Sequence, residues 1–322
     1  MVSQSNRLRQ WAEKFSLLLV SASLVYIGVQ GWDMRDQLLS WEARPHSILL
    51  IISAVILYGV ASFPLAFAWQ RILSRLSNQQ TALLLLFARS QLGKYLPGNV
   101  AHLAGRHVMA REYDFPHSSL ILSTLFEFAG LLSAAGTVIL FATLLPSLAT
   151  AIESATTIPL DIFGFVLLCA MPCVALVYRI APDIFGGGNV RGSLHAKVPD
   201  LSFLLLPYFL YLCFFVAAGG AFTLVSLAIS GDIAWSFTGL LFVTFAMGWT
   251  LGFVTPGAPS GIGIREAILF YILKTVLAEA DALLISVFFR AITVAGDLLF
   301  WLATEYFHVR SKRTAKLTYR DR

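Results

Sequence analysis

Apolar residues run almost unbroken through 15–31, 47–69, 118–145, 160–178, 201–229, 233–254 and 282–306. A hydrocarbon core of about 30 Å is crossed by about 20 apolar residues of helix, at about 1.5 Å per residue. Lipid offers the backbone no hydrogen-bond partner, so a crossing segment must satisfy its own N–H and C=O groups, as a helix does. Composition points the same way. The chain is 57% hydrophobic and 13% charged, with mean hydropathy +0.75, whereas a soluble domain carries about 25% charged residues. The expected fold class is all-α, polytopic and membrane-embedded. No short-period repeat or low-complexity linker divides it, so a single integral membrane domain, 1–322, is expected. Its parts are a stub at 1–14, a bundle at 15–306 and a basic tail at 307–322.

The first run follows Arg7, Arg9 and Lys14, as a signal peptide would. Its small-residue triplet Ser21-Ala22-Ser23 lies inside the apolar stretch, which favours an uncleaved first span. Cys169, Cys173 and Cys213 fall within spans without acid or histidine neighbours, so they are read as buried packing residues and no metal site is expected. Lys and Arg concentrate in the stub, in 70–117, in 179–200 and in the tail, while 146–159 has none. Positive residues stay on the cytoplasmic side, which predicts a multi-pass protein with both termini in the cytoplasm. The basic tail suits an anionic leaflet, at about 1 kcal/mol per cation near the surface, and calls for no nucleic acid.

This orientation constrains "QLGKYLPGNVAHLAGRHVMAREYDF", residues 91–115. Residues 70 and 118 lie on the same side, so 81–117 must enter and leave there. Pro97 stops the first half, because the residue before proline resists helical torsions. Gly98 permits the turn and Asn99 is a good N-cap for the second half. The predicted element is a re-entrant helical hairpin. A second break follows in "FVTPGAPSGIGIREAILFYIL", residues 253–273, at Pro256-Gly257, with Pro259, Gly261 and Gly263 beyond it. Pro97 to Arg106 and Pro256 to Arg265 are both nine residues apart. By parity the second element opens to the opposite side, although 233–254 is long enough to make this two crossings. About six full spans plus two interrupted hairpins in inverted-repeat-like halves are therefore expected, a pattern that points to a midplane site.

Ionisable residues at membrane depth are costly, about 2.5–3.5 kcal/mol on insertion scales, and call for a reason. Arg106 and Arg265 follow matched helix breaks, where a guanidinium fork and a half-helix N-terminus suit a phosphate. Lys94 and Asn99 join them as candidate phosphate contacts. Glu127, Glu266, Asp297 and Arg290 are candidates for balancing charge or handling protons. Arg290 and Asp297, seven apart, share a helix face and equally suit a local ion pair. His102 and His107 are read as interfacial side chains that snorkel. The small residues of 133–136 and 217–221 are read as close helix packing. No nucleotide-cradling loop, metalloprotease motif or paired catalytic carboxylates are present, so neither an enzyme nor a cofactor is expected.

The motifs "GKYLPGNVAHLAGR" (93–106) and "PGAPSGIGIRE" (256–266) resemble the membrane region of lysylphosphatidylglycerol synthase/flippase proteins, and more closely their short relatives without the soluble synthase domain. The resemblance extends over roughly 10–310. One glycine of the usual second motif is replaced here by Ser260. The resemblance implies a protein of the cytoplasmic (inner) membrane that moves a lipid between leaflets, without the aminoacyltransferase activity that belongs to the missing domain. The expected partner is a phospholipid or a polyprenyl-linked saccharide of envelope biogenesis. Two alternatives stand beside translocation: a non-catalytic partner of an envelope glycosyltransferase, and an embedded transferase using a lipid phosphate.

Overall fold

The computed structural model describes residues 25, 28–39, 41–42, 44–79, 83–95, 101–144, 159–180, 201–231, 233, 237–255 and 258–320. The first apolar run lies mostly outside them, as do Pro97, Gly98, Asn99, Pro256 and Gly257. Among the described residues the structure is helical and has no strand. In chain order the helices are α1 (Arg35–Leu39), α2 (Pro45–Ser77), α3 (Leu84–Gln91), α4 (Ala101–Arg111), α5 (His117–Thr143), α6 (Leu160–Leu168), α7 (Ala170–Ile180), α8 (Leu205–Ser230), α9 (Thr238–Val254), α10 (Ile264–Leu273) and α11 (Glu279–Arg320).

Among the described residues, five helical stretches are long and apolar enough to cross a membrane: Pro45–Ser77, His117–Thr143, Leu160–Ile180, Ser202–Ser230 and Glu279–Arg310. The protein is thus a multi-pass helical membrane protein. Its bounds follow local chemistry. Pro45 opens α2 where a missing N–H does no harm, and Asn78 closes it at φ 59°, a left-handed position that asparagine tolerates. Gly231 ends α8 at φ 80°. Helix α11 continues through the basic tail to Arg320, so the tail prolongs the last span.

The interrupted elements are short. Helix α3 has 8 residues, passes into a 3-10 turn at Leu92–Tyr95, and is followed after the break by the 11 residues of α4. At about 1.5 Å per residue neither arm crosses a core of about 30 Å. Helix α9 has 17 residues and α10 only 10, on either side of the second break. The turn at Leu92–Tyr95 packs against the turn at Pro259–Gly261, so the two breaks meet inside the bundle.

Close backbone approach holds the supporting helices. A Cβ on Gly136 would lie 2.5 Å from the Gly164 carbonyl, and one on Gly59 would lie 3.0 Å from that of Gly296. The first contact joins α5 to α6; the second joins α2 to α11 beside Asp297. Pro172 cannot donate to Leu168, yet the carbonyl is not left bare. Ser133 Oγ donates to Leu168 O at 2.9 Å and accepts from Met171 N–H at 2.9 Å. Of the cysteines, Cys173 is exposed and Cys169 and Cys213 are half-buried, so Cys173 is no buried packing residue. It lies on the outer face of α7, where a small apolar thiol is compatible with lipid.

Candidate functional site

The second break is built from left-handed backbone. Ser260, Gly261 and Gly263 have φ of 50°, 68° and 81°. Gly261 lies so close to α9 that an added Cβ would be 2.8 Å from Gly252 Cα. This contact turns α10 back along α9 and aims Arg265 inward, against the edge-to-face rings of Phe245 and Phe289. Gly263 N–H donates to Glu266 at 2.6 Å. The N-terminal end of α10, expected from sequence to face a phosphate, is thus partly satisfied by its own acid.

The first break contributes Lys94 and Tyr95. Lys94 Nζ lies 2.7 Å from Asp297 Oδ2, and the Tyr95 hydroxyl donates to the same oxygen. On the same face of α11, Arg290 donates to the Ser260 carbonyl at 2.7 Å, lies 3.6 Å from Glu266 and stands over the Tyr95 ring. Arg290 and Asp297 share a face as their spacing predicted. Asp297 holds the first interrupted segment, and Arg290 holds the second while standing over Tyr95 of the first. One helix therefore ties both breaks together.

Arg106 stands apart from Arg265. Both of its terminal nitrogens donate to Glu127, Nη1 to Oε1 at 3.0 Å and Nη2 to Oε2. Its guanidinium lies against the rings of Trp69 and Phe87, and the residue is only 2% exposed. The fork expected to grip a phosphate is engaged by a carboxylate, because Glu127 lies opposite it on α5 with matching planar geometry.

A cavity of about 80 Å³ lies between these groups, room for several waters. Lys94, His102, Glu127, Ser260, Arg265 and Asp297 line it, with Phe128, Phe214 and Trp249 among its apolar walls. His102 therefore faces the interior and does not snorkel. His107 is instead half-buried, stacked on His117 with the ring nitrogens 2.8 Å apart. Of the sequence candidates, Lys94, Glu127, Arg265 and Asp297 come together at the cavity, and Glu266 and Arg290 lie directly behind it. Asn99 lies outside the described residues. Tyr95 was missed, although it adjoins Lys94 in the break motif.

The charges do not cancel. Among the described residues at this centre the cations are Lys94, Arg106, Arg265 and Arg290, and the acids are Glu127, Glu266 and Asp297. Three pairs form: Lys94 with Asp297, Arg106 with Glu127, and Arg290 with Glu266. Arg265 is left over. It is 5% exposed, and its Nη2 is buried without a hydrogen-bond partner. His102 Nδ1, on the same cavity, is likewise buried and unpartnered.

Fold and site together define a class: a multi-pass helical membrane protein with a polar, ion-paired chamber where two broken segments meet. Neither protein-family models nor curated proteins match the chain. What the chamber does must be argued from its residues.

Proposed function

We propose that the protein is a translocator that moves a phosphate-bearing lipid across the cytoplasmic membrane, with both termini inside. The observation that carries this reading is Arg265, which has no counter-ion among the described residues. A buried guanidinium without a counter-ion costs several kcal/mol, and an anion entering the cavity would offset that cost. Arg265 would grip the phosphate, and Lys94, still paired with Asp297, would face it from the opposite break. Arg106 and Glu127 form the fixed wall behind. Two broken segments meeting across the bundle is the arrangement expected of alternating access, where one half rocks against the other around a central site. The resemblance of both break motifs to the lipid-flippase membrane region supports the same reading.

The test is reconstitution into vesicles holding a fluorescent anionic lipid, with an impermeant quencher reporting its arrival in the outer leaflet. Wild-type protein should accelerate quenching, and Arg265→Lys, which keeps charge but loses the planar fork, should slow it. Folded wild-type protein that moves no lipid would overturn the proposal in favour of a scaffold for an envelope glycosyltransferase.

A further inference from the structure

Resting on the translocator reading, we propose that the chamber selects a singly charged phosphodiester and discriminates against a diphosphate. Neutrality is the physical reason. With the three ion pairs intact and His102 neutral, the centre carries one excess positive charge, on Arg265. A phosphodiester brings one negative charge and leaves no buried charge unpaired. A diphosphate brings at least two, and the second has no partner unless an existing pair is broken. Breaking a buried pair is strongly unfavourable, because a charge is left without a counter-ion in a medium that solvates it poorly.

The donors agree with the charge. A phosphodiester has two non-bridging oxygens. Two buried nitrogens on the chamber wall lack partners, Arg265 Nη2 and His102 Nδ1. The imidazole tautomer with its proton on Nδ1 is neutral and donates one hydrogen bond. Two donors and one net charge therefore meet two acceptors and one net charge. The volume agrees as well, since about 80 Å³ admits one phosphate group in place of a few waters. The same chemistry would fit a free phosphodiester in solution. The bilayer surroundings favour a lipid, and the experiment separates the two sources.

Purified protein is equilibrated with mixed micelles holding equal amounts of phosphatidylglycerol, a polyprenyl diphosphate and a neutral diacylglycerol glycoside, and retained lipid is read by native mass spectrometry. Phosphatidylglycerol should exceed the diphosphate by at least about tenfold, the equivalent of about 1.4 kcal/mol. Arg265→Met should abolish the preference. Asp297→Asn removes one acid and leaves Lys94 unpaired, so it should shift retention toward the diphosphate. Equal or greater retention of the diphosphate by wild type, still dependent on Arg265, would overturn this inference while leaving an anion chamber in place. So would a folded Asp297→Asn variant with unchanged selectivity. No preference for either anionic lipid over the glycoside would bring down the translocator reading itself. Thermal stabilisation by dimethyl phosphate as large as by the lipid would assign the site to a soluble anion and overturn the lipid source.

Discussion

Arg106 and Glu127 meet as planar fork to planar carboxylate, Nη1 to Oε1 at 3.0 Å and Nη2 to Oε2, with almost no exposure of either residue. The pair links the second arm of the first broken segment to the long helix α5. Removing one partner leaves the other charged and buried. Glu127→Gln should destabilise the protein by about 3–5 kcal/mol, read as a large fall in melting temperature in detergent. Replacing both residues, as in Arg106→Met with Glu127→Leu, should recover much of that loss. An equal loss in the double variant would show that the pair does not act as a unit.

Arg265 should behave in the opposite way. Its guanidinium lies beside the rings of Phe245 and Phe289 and has no counter-ion among the described residues. Arg265→Met removes an unpaired buried charge and keeps most of the volume, so the lipid-free protein should be no less stable than wild type. Retained anionic lipid should nevertheless fall. A destabilisation as large as that of Glu127→Gln would mean that Arg265 is paired after all.

Ser260 has φ 50° and ψ 31° between two breaks of helix. A side chain in left-handed backbone costs about 1–2 kcal/mol, which glycine avoids at an entropic cost of about 0.5–1 kcal/mol. Ser260→Gly should therefore stabilise the protein by up to about 1 kcal/mol. Ser260→Val should destabilise it, since a β-branched residue fits this conformation poorly. Chemical denaturation of the two variants measures the difference.

Gly261 adds a steric demand to a conformational one. A Cβ there would lie 2.8 Å from Gly252 Cα, and φ is 68°. Gly261→Ala must push α9 away from the break. The expected result is a loss of at least about 1–3 kcal/mol by overpacking, with impaired lipid retention because Arg265 moves with the turn. Gly28→Ala, whose added Cβ meets nothing within 4 Å, is the control and should be silent.

Ser133 completes the kink in the Leu160–Ile180 span. Its hydroxyl serves the Leu168 carbonyl and the Met171 N–H. Ser133→Ala should leave both without that partner and cost about 1–3 kcal/mol. Ser133→Ala combined with Pro172→Ala should cost less than Ser133→Ala alone, because the restored N–H can take the Leu168 carbonyl. Equal losses would place the role of Ser133 elsewhere.

Much of this protein is written locally in its sequence. Five of the apolar runs are long helices because length and hydropathy alone decide what lipid accepts. The short helices α3, α4 and α10 flank the two Pro-Gly stretches visible in the sequence, where the helix-breaking chemistry is local. The ionisable residues worth attention were also legible, since any charge among such neighbours is expensive. Their partners were not. Arg106 and Arg265 have the same spacing from their prolines, yet one pairs with Glu127 across the bundle and the other lies at the cavity against the rings of Phe245 and Phe289. Arg290 and Asp297 look like a local pair, yet each reaches a break that is distant in sequence, through Ser260 and Glu266 or through Lys94 and Tyr95. Which charge is cancelled depends on which helices touch. That is decided by close contacts such as Gly59 on Gly296 and Gly252 on Gly261, which exist only once the chain has packed.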